Sequence, residues 1–349
     1  MKLLRLPHGE ITLPVFLPDA TRGVVRSMDS ADLEACGVEA LVMSTYHLMQ
    51  NPGSSTIQAL GGLHQMSGWQ RPIITDSGGF QIYSLIHQNP KFGSLSNKGA
   101  TFHIDGTGRK YHLTPEKSIQ LQINYGGDIV ICLDDCTHVD DSLDIQRASI
   151  ERTIEWARRS KVEFNRLIGQ KNISTGETPK IFAVIQGGGV PELRKQCADA
   201  LLDIGFDGYG FGGWPLDSNG DLLVDILAYT RSLVPAEYPL HALGIAHPKN
   251  VVASHRIGYD LFDGALPTRD ARHGRLYTRE SDYVYILDDR YIKASGPVVD
   301  DCDCPVCSRY SLGYLHHLFK IGDSLSLRLA TMHNLRYITR LVQDLRNDT

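Results

Sequence analysis

Eight short apolar runs recur along the chain, each closing on polar or glycine residues. They lie at 13–19 (LPVFLPD), 40–45 (ALVMST), 72–78 (PIITDSG), 128–135 (DIVICLDD), 180–187 (KIFAVIQG), 208–213 (GYGFGG), 240–245 (LHALGI) and 261–267 (LFDGALP). Runs this short and this continuously apolar are the pattern of strands covered on both faces. Helical periodicity fills several of the gaps. Leu143, Ala148, Ile150, Ile154, Ala157, Val162 and Phe164 recur among charged positions over 142–168, and 190–204 and 219–233 read as further amphipathic helices. Thr114 ahead of Pro115 suits the first turn of a helix running to Tyr125. Eight strands alternating with helices predict an α/β fold, a parallel (β/α)8 TIM barrel, in preference to an open doubly wound sheet. No G-x-G-x-x-G opens a helix after the first strand, which argues against a dinucleotide fold. Residues 90–113, punctuated by Gly and Asn, predict hairpins inserted after the third strand. The pattern ends near 277. The expected organisation is a catalytic barrel over 1–277 and a second unit over 278–349, with its C-terminal helices packed on the barrel.

In such a barrel the chemistry gathers where strands end. Asp76 ends the third run, Asp134 and Asp135 the fourth, Gln186 the fifth and Gly212 and Gly213 the sixth, and Asp263 lies in the eighth. Asp and Gly also mark turns, but here they all fall at one kind of strand end. Two carboxylates facing one cavity suit a nucleophile and a general acid/base. Arg269, Arg272 and Arg275 follow the last strand, where they could grip phosphates or form a solvated charged loop. His47 reads as a core or loop histidine.

Composition narrows the partners. The chain has 349 residues, 42% hydrophobic and 21% charged, with a formal net charge of −5. Any nucleic-acid binding therefore rests on a local basic patch and not on bulk charge. No secretory leader and no bilayer-spanning run is apparent, so a cytoplasmic location with reduced thiols is expected. Cys36, Cys132 and Cys197 read as small buried residues. The cluster CDCPVC at 302–307 could be a disulfide, a redox pair or three metal ligands. A reducing compartment disfavours the first.

Taken together and in order, TYHLMQNPG, GGLHQMSGW, RPIITDSGGFQ, LTPEKSIQLQ, GDIVICLDDCT, IQGG, LFDGALPTRDARHG, CDCPVC, YLHHLFK and HNLRY resemble the tRNA-guanine transglycosylases (queuine tRNA-ribosyltransferases) over nearly the whole chain. The resemblance implies a TIM barrel with a zinc-binding subdomain. It implies a pentosyltransferase that exchanges guanine in tRNA, at the anticodon wobble position, for a 7-deazaguanine such as preQ1 or queuine. By the same resemblance Asp263 is the nucleophile and forms a covalent glycosyl-enzyme, and Asp76 is the general acid/base. Asp134 would bind the base's Watson–Crick edge, and Gln186 and the Gly213 backbone its carbonyl, beside Gly212. Phe80 and Leu243 would stack on the base, and Arg269 and Arg272 would hold flanking nucleotides. Cys302, Cys304, Cys307 and His333 would bind one structural zinc ion, although His316 and His317 are nearer in sequence. A homodimer through the zinc subdomain is also implied.

Two segments depart from the family pattern. After Gly212 and Gly213 the chain reads Trp214, Pro215, Leu216, Asp217, which places Trp214 at the base pocket and leaves the inserted base open. Asp217 reads as a turn residue in preference to a partner for an amine. Residues 284–301 are acidic, with Asp288, Asp289, Asp300 and Asp301, and acid near a phosphate path weakens binding. These departures leave two further readings: the same glycosyl transfer on DNA, a nucleoside or a sugar, and a non-catalytic partner subunit. Retention of Asp76 and Asp263 argues against the second.

Overall fold

The structure, a computed structural model, describes residues 2–103, 110–171 and 178–347. Each of the eight apolar runs contains a strand. In chain order they are Val15–Pro18, Leu41–Ser44, Ile73–Asp76, Ile129–Ile131, Lys180–Ile185, Gly208–Phe211, Leu240–Ala242 and Leu261–Gly264. All neighbours pair parallel, and the eighth pairs with the first through Phe262–Phe16 and Asp263–Leu17. A parallel bridge between Asp19 and Val42 joins the first strand to the second, with Ala20 N donating to Val42 O at 2.7 Å. The sheet is therefore a barrel. Most strands stop before the polar tail of their run, so those tails become the rim at the C-terminal ends.

Alternation along each strand separates two apolar layers. Val15, Leu17, Val42, Ile74, Ile129, Ile131, Phe182, Val184 and Leu261 form one buried cluster inside the barrel. Gly208 makes room there, since a Cβ would lie 2.4 Å from the Phe182 ring. The hairpin Lys2–Leu6 with Gly9–Leu13 leads directly into the first strand and adds Leu4, Leu6, Ile11 and Leu13 to the same cluster. It closes the N-terminal end. Asp128, fully buried ahead of the fourth strand, ties this plug down. It accepts from His8 N at 2.9 Å, His8 Nδ1 at 2.8 Å and Ile73 N at 2.8 Å, and His64 Nε2 lies 3.4 Å away.

The expected helices form at Pro115–Tyr125, Leu143–Lys171 and Pro191–Ile204, and Thr114 Oγ1 caps the first by accepting from Lys117 N at 3.2 Å. The helix expected from 219 starts later, at Val224. The segment before it is a turn: Leu216 bridges Leu222, and Asp217 Oδ1 accepts from Asn219 N at 2.8 Å and Asp221 N at 2.9 Å. Asp217 is thus a turn residue. After the third strand Gly93–Ser96, Gly99–His103 and Lys110–Leu113 make a three-stranded antiparallel sheet, and 104–109 of the expected hairpins lie outside the described residues.

The last helix, Ser324–Asn347, packs on the first strand and on the helices flanking it, where an eighth barrel helix belongs. Arg346 donates to Pro14 O at 2.9 Å and Thr12 O at 2.6 Å, and Thr339 Oγ1 to Cys36 O at 2.6 Å. The segment carrying the three clustered cysteines is inserted ahead of this closing helix. Among the described residues no helix is long and apolar enough to cross a membrane.

Candidate active site

The inward-facing alternation that builds the apolar layer continues to the rim. Ile74 is followed two residues on by Asp76, Leu261 by Asp263, and His241 by Leu243. These residues meet at a cavity of about 330 Å³ at the C-terminal end of the barrel. Asp76, Phe80, Asp134, Gly212, Gly213, Trp214, Leu243 and Asp263 all line it.

The carboxylates are held differently. Asp76 Oδ1 accepts from Thr45 N and Gly78 N, both at 3.1 Å, and its Oδ2 from Gln81 Nε2 at 3.0 Å. Burial outweighs these bonds and pushes its pKa up to about 7. Asp134 accepts from Gln186 Nε2 at 2.7 Å and Ser77 Oγ at 3.3 Å, and burial raises it to about 6, with neighbouring Asp135 adding to the rise. Gly79 is required beside it, because a Cβ there would sit 2.7 Å from Asp134 O and Oδ1. Both hydrogen bonds to Asp263 fall on Oδ1, from His241 Nε2 and Gly244 N at 2.9 Å each.

The structure separates residues that the sequence grouped. Asp135 turns away from the cavity and pairs with Arg152. Gln186 does not line the cavity. It lies behind Asp134 and Gly212, with its Oε1 buried and unpartnered among the described residues. Arg269 lies outside the cavity, in a groove with His273, Arg275, Tyr283 and Tyr285. Arg275 pairs with Asp270 at 3.3 Å, whereas Arg272 Nη1 is buried without a partner among the described residues. Burial, and then the charge of Arg26, hold the Arg272 pKa below the usual guanidinium value. His47 is half-buried on the helix Thr45–Gln50 and does not line the cavity. Cys36, Cys132, Cys136 and Cys197 are all buried and free.

The second cluster lies in the C-terminal segment. Sγ of Cys302, Cys304 and Cys307 lie 3.9, 3.6 and 3.4 Å from His333 Nδ1. A tetrahedral Cys3His zinc site has S–N edges of about 3.5 Å, so the four atoms are spaced to hold a metal ion. His333 Nε2 donates to Tyr277 O at 2.9 Å, which fixes the tautomer and leaves Nδ1 for a metal. His316 lies instead 3.8 Å from Asp289, outside the cluster.

Comparison with known proteins agrees with this geometry. The family model described as queuine tRNA-ribosyltransferase matches residues 1–348. The chain belongs to that family. A queuine tRNA-ribosyltransferase of Actinobacillus succinogenes is 39% identical over 342 residues, covering 97% of this chain and 87% of that protein. Those of Psychrobacter cryohalolentis and Halothermothrix orenii are 38% and 37% identical, covering 99% and 98% of this chain and 88% of each relative. Membership makes the chain an enzyme of the pentosyltransferase class.

Several residues in and beside the cavity escaped the sequence reading. Asp19 lines the cavity from the end of the first strand, where an acid closing LPVFLPD was the available signal. Gly244 and His241 reach Asp263 from the seventh strand, and nothing within LHALGI announces that contact. Arg194, on the helix after the fifth strand, is buried and donates to Gly188 O at 2.9 Å, Ile185 O at 2.8 Å and Gly212 O at 2.9 Å. It links the fifth and sixth strand ends beside the cavity.

Proposed function

We propose that this enzyme exchanges guanine in tRNA, at the anticodon wobble position, for a 7-deazaguanine of the preQ1 or queuine type, through a covalent bond to Asp263. The observation that carries the reading is the pair of unlike carboxylates on one cavity. Asp76, with a pKa near 7, is protonated in a useful fraction at neutral pH and serves as general acid. Among the described residues Asp263 takes its hydrogen bonds on Oδ1 alone, which leaves Oδ2 as nucleophile. Asp263 attacks the ribose C1′, and guanine leaves with a proton from Asp76. The incoming base then displaces Asp263 and returns a proton to Asp76. Two displacements at one carbon retain configuration.

Asp134, held by Gln186, addresses the polar edge of the base, with the Gly213 backbone beside it, while Phe80 and Leu243 cover its faces. Such a pocket takes a base out of its stack at least cost from a single-stranded loop. Arg269 and Arg272 hold the flanking phosphates. Zinc fits the Cys3His cluster, with all four ligands supplied by the chain and no position open for substrate, so the ion is structural. A catalytic barrel over 1–277, a zinc-bearing unit over 278–349 whose C-terminal helices pack on the barrel, a homodimer through that unit and a cytoplasmic location complete the reading. The free thiols support the last.

The same transfer to DNA, a nucleoside or a sugar finds less support. Asp288 pairs with Arg290 at 3.2 Å, Asp289 with Lys320 at 3.0 Å and Asp301 with Arg279 at 3.1 Å. Much of the acidic segment is thus neutralised locally. Labelled guanine offered with unfractionated tRNA, DNA and nucleosides tests the reading: label is expected in tRNA alone, and label in no tRNA would sink it. Elemental analysis should find one zinc per chain.

A further inference from the structure

His241 belongs to the seventh barrel strand and pairs with Leu261 of the eighth, two residues before Asp263. It is 1% exposed, and a histidine buried this deeply among aliphatic strand residues needs a polar reason to be there. Its Nε2 lies 2.9 Å from Asp263 Oδ1, the oxygen that also accepts from Gly244 N. Donation to a carboxylate fixes the proton on Nε2, and Nδ1 is buried with no partner. The contact to Asp263 is therefore the polar role of this side chain among the described residues. Asp263 Oδ2 accepts no hydrogen bond from them, and Asp263 lines the cavity.

We propose that His241 is the positioning residue of the nucleophile and sets the lifetime of the covalent intermediate. The inference rests on the reading of Asp263 given above. In the first step an Oδ2 lone pair forms the bond to C1′. The C1′–N9 bond breaks, its electron pair goes to guanine, and guanine takes the Asp76 proton. In the second step N9 of the incoming base bonds to C1′ and its proton goes to Asp76. The C1′–Oδ2 pair returns to the carboxylate. Oδ1 bears carboxylate charge before the first step and after the second, and much less in the ester between them. A hydrogen bond to a charged acceptor is roughly twice as strong as one to a neutral acceptor. His241 and Gly244 N–H therefore favour the free carboxylate over the ester and make Asp263 a good leaving group. The same bond fixes the carboxyl plane so that Oδ2 points at C1′.

The test uses His241→Leu and His241→Gln with a guanine-containing RNA stem-loop. The enzyme–RNA adduct is followed on denaturing gels and then chased with excess free guanine. His241→Leu is expected to accumulate the adduct and release it roughly tenfold more slowly than wild type, with the KM for free guanine unchanged. His241→Gln, whose amide can donate from nearly the same place, is expected to restore most of the release rate. If the Leu variant does not fold, His241→Asn, which withdraws the donor from that place, replaces it with the same expected slow chase. A wild-type chase rate in the donor-less variant, or a Gln variant as slow as it, would overturn the inference while leaving Asp263 as nucleophile. Absence of any adduct from the wild type would overturn the nucleophile assignment and this inference with it.

Discussion

Asp76 and Asp263 both line the cavity, and burial pushes the Asp76 pKa up to about 7. Its pKa in the unfolded chain is near the ordinary aspartate value of 3.8. Between those values the native state holds a proton that the unfolded state lacks. The contribution to stability is fully present below the unfolded value and is lost as pH rises through about 7. Asp76→Asn is therefore expected to lower base exchange by about 100-fold or more. Its thermal stability should fall less than that of wild type between pH 5 and 8, as read by melting curves across that range. Trp214 offers a direct view of the pocket. Trp69 and Trp156 are each 1% exposed, but Trp214 is 42% exposed and faces Phe80 at 6.0 Å between ring centroids. Guanine binding should change tryptophan emission in wild type and leave it unchanged in Trp214→Phe; a signal that persists in the variant would remove Trp214 from the pocket. At this scale the sequence was informative where alternation carries an inward residue to a strand end, as at Asp76 and Asp263. Strand-end position alone did not separate Asp134 from Asp135, because the partner that draws Asp135 aside, Arg152, comes from the following helix; the family resemblance singled out Asp134.

The elements were legible because buried parallel strands are short, apolar and bounded. The late start of the helix at Val224 was not, since the turn that delays it depends on Asp217 reaching Asn219 and Asp221. Nor were the ties between elements. Arg194 satisfies three backbone carbonyls across two strand ends, and burial lowers its pKa to about 10. Arg194→Leu should strand those carbonyls and lower stability by about 3 kcal/mol in urea titrations. The KM for guanine should rise with it, since Gly212 belongs to the pocket wall. Asn334, beside His333, donates to Pro267 O at 3.0 Å and Arg275 O at 2.9 Å and accepts from Tyr277 N at 2.9 Å. Through it the closing helix, which also carries His333, holds the segment that follows Asp263.

Across the whole molecule a net charge of −5 leaves nucleic-acid binding to local cations. The proposed phosphate contacts are Arg269, in a groove with His273 and Arg275, and Arg272, whose Nη1 is buried without a partner among the described residues. Arg269→Ala and Arg272→Ala should each weaken RNA binding and reduce the slope of log affinity against log salt by about 1. An unchanged slope would place the RNA elsewhere. Mapping the covalent bond decides whether Asp263 is the nucleophile. Wild-type enzyme is incubated with a guanine-containing tRNA stem-loop, denatured, digested with ribonuclease and protease, and read by mass spectrometry. The account predicts a ribosyl adduct on the peptide containing Asp263, and none from Asp263→Ala. Base exchange that proceeds with the adduct on another residue, or that survives in Asp263→Ala, would contradict it.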